Sequence, residues 1–329
     1  MSQPDPFNYL ELLAYLDEQQ GGARPKRRLP RRRLLKLLAG GGALGTGAAI
    51  FGAGFLTRSL IPGSSNTKTD SADQIAARLL PHDGFSIKAQ WGDVMARLVE
   101  SGVVDGDKFS AVLTESGTPL TDAQQRILAG TSDEPVRIDG SNGRFVLNAL
   151  WALGLANRNP VLTDGPMSRL EEARRGQLAS TAGWTLGKEQ GSQYLARFDI
   201  VSLTPGQQAV AEQVAYNSYR PCCDNPTAFP DCNHGAAALA LTQIAAASGA
   251  STEDIFSALE GFNSFWYPDR YYVLAVHFDQ QGQAWEDVDA RLVLGAEYSS
   301  LSGWKRVAAA LQSQGLPGKL PGQAGGCGA

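Results

Sequence analysis

Cys222, Cys223 and Cys232 stand with His234 in one segment, Arg220 to Gly235, which reads Arg-Pro-Cys-Cys-Asp-Asn-Pro-Thr-Ala-Phe-Pro-Asp-Cys-Asn-His-Gly. Thiolates and an imidazole are soft donors, suited to copper, zinc or an iron–sulfur cluster rather than to calcium or magnesium. Their spacing matches neither the paired Cys-x-x-Cys halves of a zinc ribbon nor the Cys-x-x-Cys-His of covalently attached haem, so the donors name a class of metal and not a metal. Cys232 and His234 flank Asn233, where a helix is expected to begin, and a helix N-terminus favours the thiolate. Cys327, the last of the four cysteines, sits in a glycine- and proline-rich tail and is a candidate fourth ligand. Arg220 is placed to balance thiolate charge and Asp231 to accept a hydrogen bond from His234. Asp224 and His277 are further candidates around the site, and Asn217 and Tyr219, one turn earlier, are candidate pocket walls.

Two other readings of the cysteines stay open. An even set outside the cytoplasm can form two disulfides, Cys222 to Cys232 with Cys223 to Cys327 or the reverse, in a non-enzymatic helical binding or assembly module. Alternatively the tail thiol exchanges with the loop cysteines, a move similar to the flexible C-terminal cysteine arms of mercuric reductases and thioredoxin reductases. Electrons would then come from a redox partner protein, because the chain has no dinucleotide-binding glycine motif. There is also no His-Glu-x-x-His, no di-iron Glu-x-x-His pair, no phosphate-binding loop and no Gly-x-Ser-x-Gly elbow, so no catalytic residue is assigned. Ser302-Gly-Trp-Lys305 matches Ser-x-x-Lys without its companion motifs and is read as a helix start.

The compartment follows from the N-terminal part. Arg24, Lys26, Arg27, Arg28, Arg31, Arg32, Arg33 and Lys36 cluster there, which leaves 21 basic against 29 acidic residues in the chain after Lys36. Nucleic-acid binding by an acidic domain is not expected. Residues 37–57 carry no charge, and about 20 apolar residues suffice to span a bilayer as a helix. Arg31-Arg32-Arg33-Leu34-Leu35-Lys36, followed by a weakly hydrophobic run and Arg58, closely resembles the twin-arginine export signal, with Pro30 where serine or threonine is usual. A plain single-pass anchor is the other reading. Both place the C-terminal domain in the periplasm or exterior of a bacterial-type inner membrane, with residues 37–57 in the membrane. No Ala-x-Ala site follows, so the run is expected to stay as an anchor.

The expected organisation is a cytoplasmic segment 1–33 with a short amphipathic helix, a signal anchor 34–61, a tether 62–73, an exported helical domain 74–314 and a flexible tail 315–329. The 3.6-residue period runs almost throughout the domain, which makes it mainly α, a bundle of roughly ten helices preceded by one transmembrane helix. Helices are expected over 87–100, from Thr121 to Leu128, and over 145–155, 167–178, 205–219, 235–247 and 268–278. Others are expected over 285–294 and 302–314, with a capping box at Ser251. Pro135 to Ile138 is the one expected strand.

Overall fold

Cap and breaker residues set most of the observed boundaries. The structure, a computed structural model, describes residues 70–321 except 131 and 317, all within one unit of the chain. It begins with α1 (Ala72–Leu79), β1 (Phe85–Gly92), α2 (Val94–Glu100), α3 (Gly106–Glu115), α4 (Asp122–Ala129), β2 (Ser132–Ile138) and α5 (Gly143–Ala156). After short helical turns come α6 (Pro205–Asn217), α7 (Asn233–Ala247), α8 (Thr252–Trp266), α9 (Pro268–Asp279) and α10 (Leu301–Ser313). The protein is mainly α. Thr121, Thr204 and Ser251 each close a capping box, and Pro205 takes the first position of α6. Each such cap stabilises its helix by about 1 kcal/mol.

The centre is the α5–α7 pair. Leu150, Ala152 and Leu153 of α5 and Ala237, Leu239, Ala240 and Leu241 of α7 are wholly or almost wholly buried. Gly154 permits this approach: a Cβ there would lie 1.9 Å from the carbonyl oxygen of Ala236. The alanine-rich composition of α7 has the same consequence, since small side chains bring backbones together and leave the larger residues of neighbours to fill the gaps.

Several boundaries differ from the sequence expectations. The helix expected over 87–100 is split into β1 and α2. Phe85, Ile87, Ala89 and Trp91 alternate with Ser86, Lys88 and Gln90, a period of two, and Gly92 at φ +52° turns the chain into α2. β1 pairs antiparallel with β2 from Phe85 opposite Ile138 to Gly92 opposite Ser132, so the strand expected at Pro135–Ile138 is one of a pair. Residues 167–178 break into a 3-10 turn, Pro166–Arg169, and the short helix Glu172–Gln177, with Leu170 extended between them. Residues 285–294 likewise divide at the extended Val288, after which Asp289 caps Ala290–Val293. The described residues after α10, as far as Pro321, form no helix or strand, yet Leu320 is buried and its N–H donates to the Asp269 carboxylate at 3.1 Å. The signal anchor, the cytoplasmic segment, most of the tether and Cys327 lie outside the described residues. Among the described residues no helix is long and apolar enough to cross a membrane.

Candidate metal centre

The loop between α6 and α7 folds back on itself around one arginine. Ser218 accepts from the Thr227 N–H at 2.8 Å, and Tyr219 donates its N–H to Leu294 at 2.7 Å. Inside this turn the Arg220 guanidinium is fully buried. Its Nη1 donates to the carbonyls of Asn225 (3.1 Å) and Pro226 (3.2 Å), and Nη2 donates to that of Phe229 (3.2 Å) and to the Asp231 carboxylate. Nε points at the Cys232 sulfur, 3.1 Å away. All five N–H donors are thereby used, which is what a buried guanidinium requires. Asp231 is held on its other side by Asn225 Nδ2 at 2.9 Å.

This frame gathers the three sulfurs. Cys222 Sγ lies 3.9 Å from Cys223 Sγ and 3.5 Å from Cys232 Sγ. All three fall within 4.8 Å of one another, and all three thiols are free, so no disulfide staples the described loop. Cys232 is the N-cap of α7 and its sulfur accepts the Gly235 N–H at 3.4 Å. Hydrogen bonds from the Cys222 and Cys223 thiols hold the Cys232 thiol well below its ordinary pKa, with Arg220 helping and burial opposing. Cys223 lowers the Cys222 pKa, but the bond to Cys232 and burial outweigh it and push Cys222 up to about 11. Cys223 is also raised, by its bonds to the two other thiols and by burial. Of the three thiols, Cys232 is the one held toward its thiolate form, beside the fixed Arg220 cation.

A soft metal ion fits this donor set. Thiolates about 2.3 Å from a shared zinc ion stand roughly 3.8 Å apart in tetrahedral geometry. The Cys222–Cys232 and Cys222–Cys223 separations, 3.5 and 3.9 Å, bracket that edge. The triad is of a size that could hold a metal ion.

His234 stands beside the triad rather than in it. The three cysteines group without it, and its Nδ1 bonds Asn233 Oδ1 at 2.9 Å. The ring packs at 4.4 Å on Tyr267 and edge-on to Trp266 at 5.9 Å. Burial lowers its pKa to about 4, so the imidazole is neutral. Asp231 does not accept from His234, contrary to the sequence expectation, because Arg220 and Asn225 take its oxygens. Asp224 turns away to accept from Ser302 N–H (2.8 Å) and Oγ (2.7 Å), tying the loop to α10. His277 lies apart with Gln281, 2.7 Å from its Nε2, and Asn217 is exposed, donating to the Gln213 carbonyl at 2.7 Å. Tyr219 shares the loop through its backbone.

Tyr267 is the neighbour that sequence reasoning missed. Its buried hydroxyl makes no hydrogen bond of normal length, and its pKa is raised by burial first and then by the neighbouring Cys222 and Cys232 sulfurs. The signal available was Tyr-Pro at the α8–α9 junction, which says only that a helix ends. Comparison with known protein families, curated proteins and solved structures gave no match.

Proposed function

We propose that Cys222, Cys223 and Cys232 bind one soft metal ion, copper(I) or zinc, and that the domain serves metal handling or electron transfer outside the cytoplasm. The observation that carries this is the close grouping of three free sulfurs, one of them bonded to a buried guanidinium. A mononuclear site is favoured over an iron–sulfur cluster, because a cluster sets its irons between the cysteines and needs the thiolates further apart. Cys327 is the proposed fourth ligand, supplied by the tail that leaves the domain after Leu320. When bound, such an ion supplies thiolate-ligated redox or transfer chemistry. Arg220 offsets part of the ligand charge, and Asp231 with Asn225 fixes the guanidinium. The test is cobalt(II) substitution of the full-length protein: intense near-ultraviolet thiolate-to-cobalt bands support the site, and a spectrum of hexa-aqua cobalt alone would reject it.

Export by a twin-arginine-like signal and retention by residues 37–57 complete the proposal. A C-terminal phosphatase reporter, active only outside the cytoplasm, is expected to be active. An inactive but folded reporter would place the domain inside.

The 3.5 Å contact between Cys222 and Cys232 supports a second reading, thiol–disulfide exchange with a disulfide-bearing partner protein. The Cys232 thiolate attacks a partner sulfur and the other partner sulfur leaves as a thiolate. Cys222, after losing its proton to solvent, then attacks the Cys232 sulfur and releases the second partner thiolate. The loop ends as a disulfide and the partner has gained two electrons. Mixed-disulfide trapping with Cys222→Ser distinguishes this reading, since the variant would accumulate the partner adduct on Cys232.

A further inference from the structure

A cleft of about 630 Å³ is lined by His234 and by none of the three cysteines. Three long helices present their N-terminal turns to it: Gly143 and Arg144 of α5, His234 of α7 and Pro268 of α9 all line it. Helix N-termini carry a partial positive charge and unpaired N–H groups, which makes them anion sites when a ligand reaches them. The α5 terminus has no side-chain cap. The Asn142 side chain is engaged elsewhere, accepting from Asp139 N–H at 2.9 Å and donating to the Arg137 carbonyl at 3.1 Å. Gly140 and Gly143, on either side of it, face open space where a Cβ would meet nothing. Arg137 and Arg144 line the same end of the cleft. The one carboxylate there, Asp139, is tied to Arg137 at 3.2 Å and to the Ser141 N–H and hydroxyl.

The opposite wall points independently to an organic ligand. It consists of Phe265, Trp266, Leu80 and Leu147 with the His234 ring. His234 is only 9% exposed, and the hydrogen bond its ring makes among the described residues is through Nδ1 to Asn233 Oδ1, which leaves Nε2 as an acceptor on a residue that lines the cleft. An acceptor left without a protein partner on a cavity wall is a place for a ligand hydroxyl, amine or water.

We propose that this cleft binds a planar organic oxyanion, a phosphate or carboxylate carried on a ring. The anionic group sits at the uncapped turn of α5 with Arg137 and Arg144, and the ring lies against Trp266 and Phe265. A hydroxyl or amine on the ring donates to His234 Nε2. The site stands apart from the metal reading, because no cysteine lines the cleft.

The test is ¹⁵N-indole NMR of the full-length protein, with the Trp266 signal assigned by its loss in Trp266→Phe. Phenyl phosphate and benzoate are the two oxyanion probes and phenol is the control. The expected result is a saturable shift of the Trp266 signal by one or both probes, with a dissociation constant below about 1 mM. Whichever responds names the anionic group. Arg144→Gln is expected to weaken binding about tenfold, and Ser141→Asp, which adds a charge on an exposed loop residue, to abolish it. Cys222→Ser is expected to leave probe binding unchanged even where metal is lost. The proposal is overturned if neither probe shifts Trp266, if phenol does so equally well, or if both charge variants bind as the parent does.

Discussion

The Arg220 guanidinium occupies the volume that a side chain at position 235 would need: a Cβ on Gly235 would lie 2.5 Å from Arg220 Cζ. The first turn of α7 and the cysteine loop are thus fitted to each other through one missing methyl group. Gly235→Ala is expected to destabilise the protein by about 1–3 kcal/mol through overpacking, even though alanine is the better helix former. Urea denaturation would check this; an equal or higher midpoint would mean that the guanidinium is not wedged there.

Arg220 itself is the larger liability. Replacing it by lysine keeps a charge but leaves Asp231 and three loop carbonyls short of donors, since an ammonium cannot reproduce the planar fork. We expect a loss of about 3 kcal/mol or more, with increased reactivity of Cys222 and Cys223 toward a thiol reagent as the loop loosens. Unchanged stability and thiol reactivity would show that the loop holds itself.

A different carboxyl adds a pH dependence to stability. Glu260 on α8 is pushed up to about 8, first by burial and then by the neighbouring Asp289. Glu260 lines a cleft of its own with Arg78, Lys88, Glu253, Glu286, Asp289 and Arg291. Between its ordinary 4.5 and about 8, the folded protein keeps a proton that the unfolded chain releases. Its stabilising contribution is therefore complete below pH 4.5 and lost as the pH rises toward 8, amounting to up to roughly 5 kcal/mol. Glu260→Gln should melt at more nearly the same temperature at pH 5 and pH 8.5 than the parent does. A parallel pH dependence in the two proteins would contradict the assignment.

Much of this was readable in the chain, for identifiable reasons. The loop, its bounding helices and the helix start after Cys232 follow from Pro221, the clustered cysteines and the alanine run, all local signals. The β1 strand did not, because Trp91 fits both the helical face shared with Val94 and Met95 and the period-two set with Ile87 and Ala89; pairing with β2 decides between them. The role of Arg220 was read as charge balance alone, since its five partners include carbonyls whose positions only the folded turn defines. His234 looked like a ligand from its spacing, but Asn233 and Tyr267 hold its ring aside. The second cleft was invisible because its walls come from segments far apart in sequence, around residues 80, 116, 140, 234 and 265.

The most direct test of the metal reading is the metal content and thiol count of the full-length protein purified without oxygen, beside the Cys222→Ser, Cys223→Ser and Cys232→Ser variants. The account predicts about one equivalent of copper or zinc per chain, protection of the three loop thiols while the metal is bound, and loss of metal in each variant. A protein that carries no soft metal and accepts none on reconstitution, or one whose metal content is untouched by all three substitutions, would contradict it.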